Sequence, residues 1–238
     1  MTQARFAIMA HISRNHLPLV RSLRGCGVEP FVSISSFQPT RDPRWKRKGI
    51  YENFRAILAS GMQQSEEWVV LLHDDAIICS DFVSKVLHVL SFATGDMVSF
   101  FNPPNKSFAK ARADGHHVVE TAANYWTVCF CFRREAIRHI YDWGTEHIIV
   151  GIVSEDGYLR RYCTREGKKV QVVVPSLVQH DLRVKSTLFN KVSCGGRRRE
   201  SVAYDPDFDV FAVNWAGEFQ TPYQDNKRNL KTNGLMGF

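Results

Sequence analysis

The sequence predicts an α/β protein: a mixed, mostly parallel sheet with helices on both faces. Three observations predict it. Short apolar runs alternate with helical stripes through the first half of the chain, the pattern that builds parallel strands joined by crossover helices. The run "WVVLL" (68–72) is apolar without interruption, as suits a strand buried on both faces. The stretches 49–61 and 80–93 place apolar residues three and four apart, so each has one face to bury.

Taken in order, "RFAIMAHI" (5–12) is the first strand. "NHLPLVRSLRGCG" follows as a helix, with Gly25 and Gly27 as stop signals. "EPFVSISS" (29–36) is the second strand. A basic loop leads to the helix "GIYENFRAILASG" (49–61), whose stripe is Ile50, Phe54, Ile57 and Leu58. "EWVVLLHD" is the third strand. "SDFVSKVLHVLSFA" is a helix with Ser80 as its cap and Phe82, Val83, Val86, Leu87 and Leu90 as its stripe. "DMVSFFNPP" is a strand ended by two prolines. "HHVVETAANYWTVCFCFRREAIRHIYDW" reads as two strands and a helix from about Arg133. "SEDGYLRRYCTREGKK" is helical and "VQVVVPSLVQHD" is a strand running into a loop. The pattern weakens after Lys185. The expected organisation is one α/β domain over 1–184 and an irregular, basic and aromatic extension over 185–238, packed on the same domain.

The third strand ends in a contradiction. Five apolar residues run into His73, Asp74 and Asp75. Adjacent carboxylates repel, and burying one unpaired is costly. They stand at the carboxyl end of a strand, where α/β sheets bind ligands. Three readings follow: a solvated turn, a site for a hard divalent cation shared with a phosphate, or a general acid/base pair. Glu155 and Asp156 in "SEDG" open a later helix, where a carboxylate also suits the helix dipole. His180 follows another strand and can meet Asp75 at the same edge. A histidine with one or two aspartates can hold Mn²⁺ or Mg²⁺, with diphosphate oxygens completing the shell.

The chain carries 31 Lys and Arg against 24 Asp and Glu, a net charge of +7, which favours a polyanionic partner. Arg41, Arg44, Lys46, Arg47 and Lys48 cluster in one segment, and Arg183, Lys185, Lys191, Arg197, Arg198 and Arg199 in another. Neither segment shows periodicity, so both read as loops. The six cysteines follow no zinc spacing and read as small buried hydrophobes of a reducing compartment. No apolar run reaches the ~18–20 residues that span a bilayer. The N-terminal stretch lacks a signal-peptide pattern, so the expected location is a cytoplasm, the host's if the protein is viral.

"VVLLHDDAIICSDF" resembles the metal and nucleotide-sugar segment of GT-A glycosyltransferases, especially the lipooligosaccharide-transferase type. "GIYENFRAIL" resembles their helix beside the donor, "SEDGYLRRY" their acceptor-side segment, and "VPSLVQH" the segment whose histidine completes the metal site. The four stand in the family's order over about residues 5 to 182. The departure is His73, where the family usually has Glu. The resemblance implies a GT-A fold and transfer of a sugar from a nucleotide sugar, UDP-linked. It implies Asp75 and His180 as metal ligands, with Asp74 on the ribose or a metal-bound water. Asn53, His11 and Arg14 join Asp74 and Asp75 as donor contacts. Asp156 is the candidate base, Glu155 its alternate, and a single base makes the transfer inverting. Trp126 is a candidate platform for sugar or acceptor, or a core residue.

For the acceptor, the basic segments suit a phosphate backbone. Some phage enzymes with GT-A-like folds glycosylate hydroxylated bases in DNA, which requires the base to be flipped out. The expectation is therefore DNA as acceptor, gripped by Arg41, Arg44, Lys46, Arg197, Arg198 and Arg199. The alternatives are lipopolysaccharide, another glycan or protein as acceptor, a basic face on an anionic membrane surface, a metal-dependent nuclease, and an inert nucleic-acid-binding domain.

Overall fold

In the computed structural model, strand and helix alternate from the start of the chain. β1 (Ala4–His11), α1 (Leu17–Gly25), β2 (Phe31–Ser35), α2 (Pro43–Met62) and β3 (Trp68–His73) come first. Then follow β4 (Ala76–Ile78), α3 (Phe82–Leu90), β5 (Met97–Ser99), α4 (Lys106–Ala113), β6 (Val118–Thr121) and β7 (Cys129–Arg133). The second half adds α5 (Arg134–His147), α6 (Glu155–Arg165), β8 (Val170–Val173), β9 (Val178–His180), β10 (Ser193–Cys194) and β11 (Arg197–Arg198). α7 (Trp215–Gln220) and β12 (Tyr223–Gln224) close the series. The described residues are 2–35, 43–122, 126–147, 154–184, 193–194, 197–198 and 200–224, with the side chains of 43–47, 193–194 and 197–198 left aside.

Eight strands form one mixed sheet in the order β12-β6-β8-β5-β7-β3-β1-β2. β2, β1 and β3 are parallel, as the alternation predicts. β7 enters antiparallel between β3 and β5, and β5 pairs parallel with β8. Period-two alternation splits the sheet's side chains between two cores. Trp68, Val70 and Leu72 join Phe6, Ile8 and Ala10 beneath α1, α3 and α7. Val69 and Leu71 join Ala7 and Met9 against α2, α5 and α6. All five residues of "WVVLL" are at most 1% exposed. Each full burial of such a side chain contributes about 1.5–3 kcal/mol, so this strand is a rigid base for whatever it ends in.

Several expectations are corrected. The helix expected over 49–61 begins at Pro43, so Arg44 and Lys46 lie on helix rather than loop. Proline is preorganised for the first helical position and Arg and Lys are good helix formers, but without an apolar stripe that first turn gave no periodic signal. Arg41 lies outside the described residues. Ser80 is not the cap of α3. Asp81 is, in the left-handed region at φ 53°, its carbonyl accepting the Lys85 N–H, and aspartate tolerates that region better than most residues. α4 was not expected; Asn105 caps it by accepting the Ser107 N–H. Arg197 and Arg198 pair as a strand with Ser193 and Cys194 instead of forming a plain loop, and Arg199 lies outside the described residues. Cys26 is exposed, against the expectation of burial that Cys79, Cys129, Cys131 and Cys163 meet.

Within 200–224 most of the chain is turn and coil, as expected, with the short α7 and β12 set into it. Val210, Trp215 and Phe219 are buried in the first core, and β12 extends the sheet beside β6. α7 has six residues, too few for an amphipathic stripe to declare itself. Lys85, itself buried, donates from Nζ to the Pro206 carbonyl and ties α3 to this segment. Among the described residues no helix is long and apolar enough to cross a membrane.

Candidate active site

Asp74 and Asp75 form the turn between β3 and β4. The turn is pinned from two sides. The Asp74 N–H donates to the Met9 carbonyl, and Asp74 Oδ2 accepts the His11 N–H at 2.8 Å, locking the turn to the carboxyl end of β1. β4 then pairs antiparallel with β9, with Ala76 opposite His180, and the Asp181 N–H donates to the Asp75 carbonyl at 2.7 Å. A three-residue ladder thus carries His180 to the side of Asp75 across more than a hundred residues of sequence. His180 Nδ1 lies 3.3 Å from Asp75 Oδ1. Both side chains are nearly fully buried.

Arg14 stands in the turn after β1. Its Nη1 lies 2.5 Å from Asp74 Oδ1 and 3.1 Å from Asp75 Oδ2, a single guanidinium bridging both carboxylates. This answers how adjacent like charges are tolerated in a dry place. Burial alone would raise the Asp75 carboxyl, but the hydrogen bond and charge of His180, then Arg14 and His73, hold it well below the usual carboxylate range. Asp74 moves the other way, raised by burial, with Arg14 and the His11 N–H only partly opposing it.

A second acidic pair faces this turn. Glu155 and Asp156 open α6, and Thr127 organises them. The Thr127 N–H donates to Asp156 Oδ1 at 2.9 Å, and Thr127 Oγ1 lies 2.9 Å from the same atom, 3.3 Å from Glu155 Oε1 and 3.2 Å from His73 Nε2. His73 Nε2 is 3.5 Å from Glu155 Oε1. Thr127 is wholly buried. Glu155 is pushed up to about 8 by burial first and then by the Asp156 charge. Asp156 is also raised by burial, with the Thr127 hydrogen bonds opposing. Glu155 Oε2 is buried without a hydrogen-bond partner among the described residues. The geometry makes sense of His73: a carboxylate there would face the Glu155 carboxyl, whereas an imidazole can hydrogen-bond to it.

Glu155 gives a testable pH dependence. Its carboxyl is raised from an ordinary 4.5 to about 8, so between these values the folded protein holds a proton the unfolded chain has lost. The group's contribution to stability is full below about pH 4.5 and declines as pH rises to about 8. Glu155→Gln removes that decline. Melting temperatures across the pH range should show the variant gaining several degrees on wild type as pH rises, then running parallel above pH 8.

Trp126 is partly buried, stacked on Phe101 at 5.8 Å and 14°, and edge-on to His180 at 6.3 Å. Phe101 also meets His180 edge-on at 5.3 Å. Phe101 and Trp126 form an apolar wall against the His180 ring beside Asp75. Asn53 lies at the carboxyl end of β1, its Nδ2 donating to the Ala10 carbonyl at 2.9 Å and its buried Oδ1 without a hydrogen-bond partner among the described residues. His11 contributes its main chain to Asp74, while its ring lies 2.7 Å from Ser13 Oγ. The structure therefore gathers His11, Arg14, Asp74, Asp75, Glu155, Asp156, Trp126 and His180 around the ends of β1, β3 and β9. It adds Thr127, Phe101 and a defined role for His73, which sequence reasoning missed. A threonine beside "NYW" carries no motif, and only its position between β3 and α6 reveals it.

The residues fit a divalent cation in part. Asp75 Oδ1 and His180 Nδ1 are close enough to face one ion at ligand distances of about 2.1 Å. No group of three or more His, Cys, Asp or Glu side chains among the described residues is arranged to hold a metal. Protein donors alone leave such a shell incomplete, and a bound diphosphate would have to fill it.

No protein-family model matches the chain, and no curated protein matches it. Among solved structures it is similar to the crystal structure of A197 from STIV, at 11% identity and a TM-score of 0.47, over 75% of this chain and 84% of that one. It is also similar to a glycosyltransferase involved in the glycosylation of the major capsid of PBCV-1, at 12% identity and a TM-score of 0.46, over 74% of this chain and 94% of that one. Likenesses this distant do not bear on activity.

Proposed function

We propose that the chain is a metal-dependent glycosyltransferase of GT-A type that moves a sugar from a UDP-linked donor to a hydroxyl acceptor with inversion. The observation that carries this reading is the meeting of the buried Asp75–His180 pair with Arg14 at the strand ends, faced by the Glu155–Asp156 pair on α6. Neutralising a leaving diphosphate and deprotonating an acceptor are separate tasks, and the site offers a separate set of groups for each.

Asp75 and His180 would hold Mn²⁺ or Mg²⁺, which when bound supplies positive charge to the leaving diphosphate. The carboxylate and the diphosphate oxygens suit either ion. Arg14 presents a guanidinium fork that matches phosphate oxygens. Asp74 is held by the His11 N–H and orients the turn and the ribose side of the site. Asp156 uses Oδ1 for Thr127 and takes the acceptor proton at Oδ2. Glu155, kept largely protonated, leaves Asp156 as the charged member of the pair. The wall of Phe101 and Trp126 excludes water from one side and offers a ring face to the sugar.

Asp156→Asn is expected to keep UDP binding while transfer falls by ~10²-fold or more, the scale of lost general-base catalysis. Calorimetric UDP affinity measured beside turnover decides this: equal loss in both means a donor-binding role.

For the acceptor we propose DNA carrying a hydroxylated base. Its support is the net charge of +7 and the clustering of arginine and lysine around 41–48 and 183–199. The test incubates the protein with Mn²⁺, a panel of nucleotide sugars and hydroxymethylated DNA, followed by mass spectrometry of the nucleosides. A hexose or pentose adduct supports the reading. Donor hydrolysis without an adduct moves the acceptor to a glycan or a protein. Stabilisation by neither UDP nor Mn²⁺ in a thermal-shift panel sinks the transferase itself.

A further inference from the structure

We infer that Arg14 is an internal counter-cation that makes the site accept a divalent ion and a diphosphate only as a unit. The inference rests on the proposed metal-dependent reading and concerns the order in which that site fills.

The geometry is specific. Arg14 Nη1 touches Asp74 Oδ1 and Asp75 Oδ2, while Asp74 Oδ2 is taken by the His11 N–H and Asp75 Oδ1 faces His180. Three of the turn's four carboxylate oxygens therefore already have a cation or a donor against them, and the fourth, Asp75 Oδ1, lies beside the His180 ring. The Asp74 and Asp75 side chains are 3% and 1% exposed and Arg14 is 12% exposed, so bulk salt screens little of the interaction. A divalent ion arriving alone meets a guanidinium on the very carboxylate it needs. Two cations on one buried carboxylate repel strongly at this range.

A diphosphate changes the balance. The guanidinium fork pairs with phosphate oxygens as well as with carboxylates. Arg14 sits in a turn, its N–H bonded to the His11 carbonyl, so its side chain can change partner while β1 and the β3–β4 turn stay in place. Once it turns to the phosphate, the Asp75 carboxylate is no longer shared with a guanidinium and would serve the cation alone, and the cation and phosphate would also attract each other. By linkage, each ligand then raises the other's affinity by the same factor. The cation is admitted only with something to act on, and in the free protein Arg14 offsets part of the charge of its two aspartates.

The experiment is calorimetric titration of MnCl₂ into wild type, Arg14→Gln, Arg14→Lys and Asp75→Asn, each without and with saturating UDP, after circular dichroism confirms folding. Arg14→Gln should bind Mn²⁺ alone at least ~10-fold more tightly than wild type, the effect of removing one buried charge at contact distance. Arg14→Lys keeps the charge but loses the fork. It should hold Mn²⁺ alone at the wild-type affinity and lose at least ~3-fold of the gain that UDP confers. If Arg14→Gln binds Mn²⁺ alone no better than wild type, the inference is overturned. If Arg14→Gln does not fold, a Lys variant with an undiminished UDP gain overturns it equally. The underlying reading fails separately: Mn²⁺ bound by no variant even with UDP, or bound by Asp75→Asn as by wild type, removes the metal site itself.

Discussion

Asp75→Ala is expected to leave no measurable transfer with Mn²⁺ or Mg²⁺, while the fold survives. Asp75 is one of two protein groups proposed to face the cation, and it is held ionised by His180 and Arg14 in a place where an unpaired charge would not persist. Removing it takes away a ligand from a shell that has few. It also takes a carboxylate away from beside Arg14 and His180, so some stability is lost as well, on the scale of about 1–3 kcal/mol for a weakened buried polar contact. Asp75→Asn separates the two effects. The amide keeps the shape of the turn but not the charge, so it should melt nearer to wild type and remain inactive. Both variants need activity and a thermal melt measured on the same preparation. A variant that folds and retains more than about a tenth of wild-type turnover places the cation elsewhere or removes it from the reaction.

How much of this was legible in the sequence depends on what each feature needs from tertiary structure. β3 was legible because burial on both faces writes itself as an unbroken apolar run, and the carboxylates at its end break that run where a ligand belongs. The proximity of His180 to Asp75 was legible only through the order of resembling segments. Its physical cause is the short β4–β9 ladder, and two strands of three residues leave almost no periodic signal. Thr127 was illegible, since its importance comes from lying between His73 and the two carboxylates of α6. Arg14 was legible as a basic residue near the first strand, but not as the bridge over Asp74 and Asp75, which requires the turn after β1 to meet the turn after β3. The antiparallel insertion of β7 was hidden for a similar reason: a central strand reads as apolar whichever way it runs. The weak pattern after Lys185 concealed Trp215 and Phe219, which complete a core whose other members come from elements far earlier in the chain.

Gly144→Ala is expected to be the most damaging of the small substitutions away from the site, and to reach the chemistry through packing. Gly144 lies in α5, where α6 packs across it, and a Cβ at this position would be driven into the ring and hydroxyl of Tyr158. That ring has no room to yield. It is fully buried, flanked by Phe54 at 5.4 Å and Trp143 at 5.7 Å, and its hydroxyl donates to the Ile140 carbonyl. Overpacking of this kind costs about 1–3 kcal/mol, at the upper end where neighbours are rings rather than flexible chains. For a chain of this size that is a fall in melting temperature of roughly 5–10 °C. The functional consequence follows from what Tyr158 belongs to. It stands two residues after Asp156 on α6, so a displaced ring moves the helix terminus that carries both carboxylates. A shift there of less than 1 Å is enough to loosen Thr127 from Asp156, and catalytic geometry tolerates only about 0.5 Å. Turnover should therefore fall by roughly tenfold or more even well below the melting temperature, with UDP affinity unchanged because Arg14, Asp75 and His180 rest on other elements. Gly25→Ala is the control: it ends α1 with open space where the Cβ would go, and should leave both stability and turnover near wild type. If Gly144→Ala melts with wild type, α5 and α6 are not packed as described. If it melts lower yet keeps full turnover, the carboxylates of α6 do not act in the rate-limiting step.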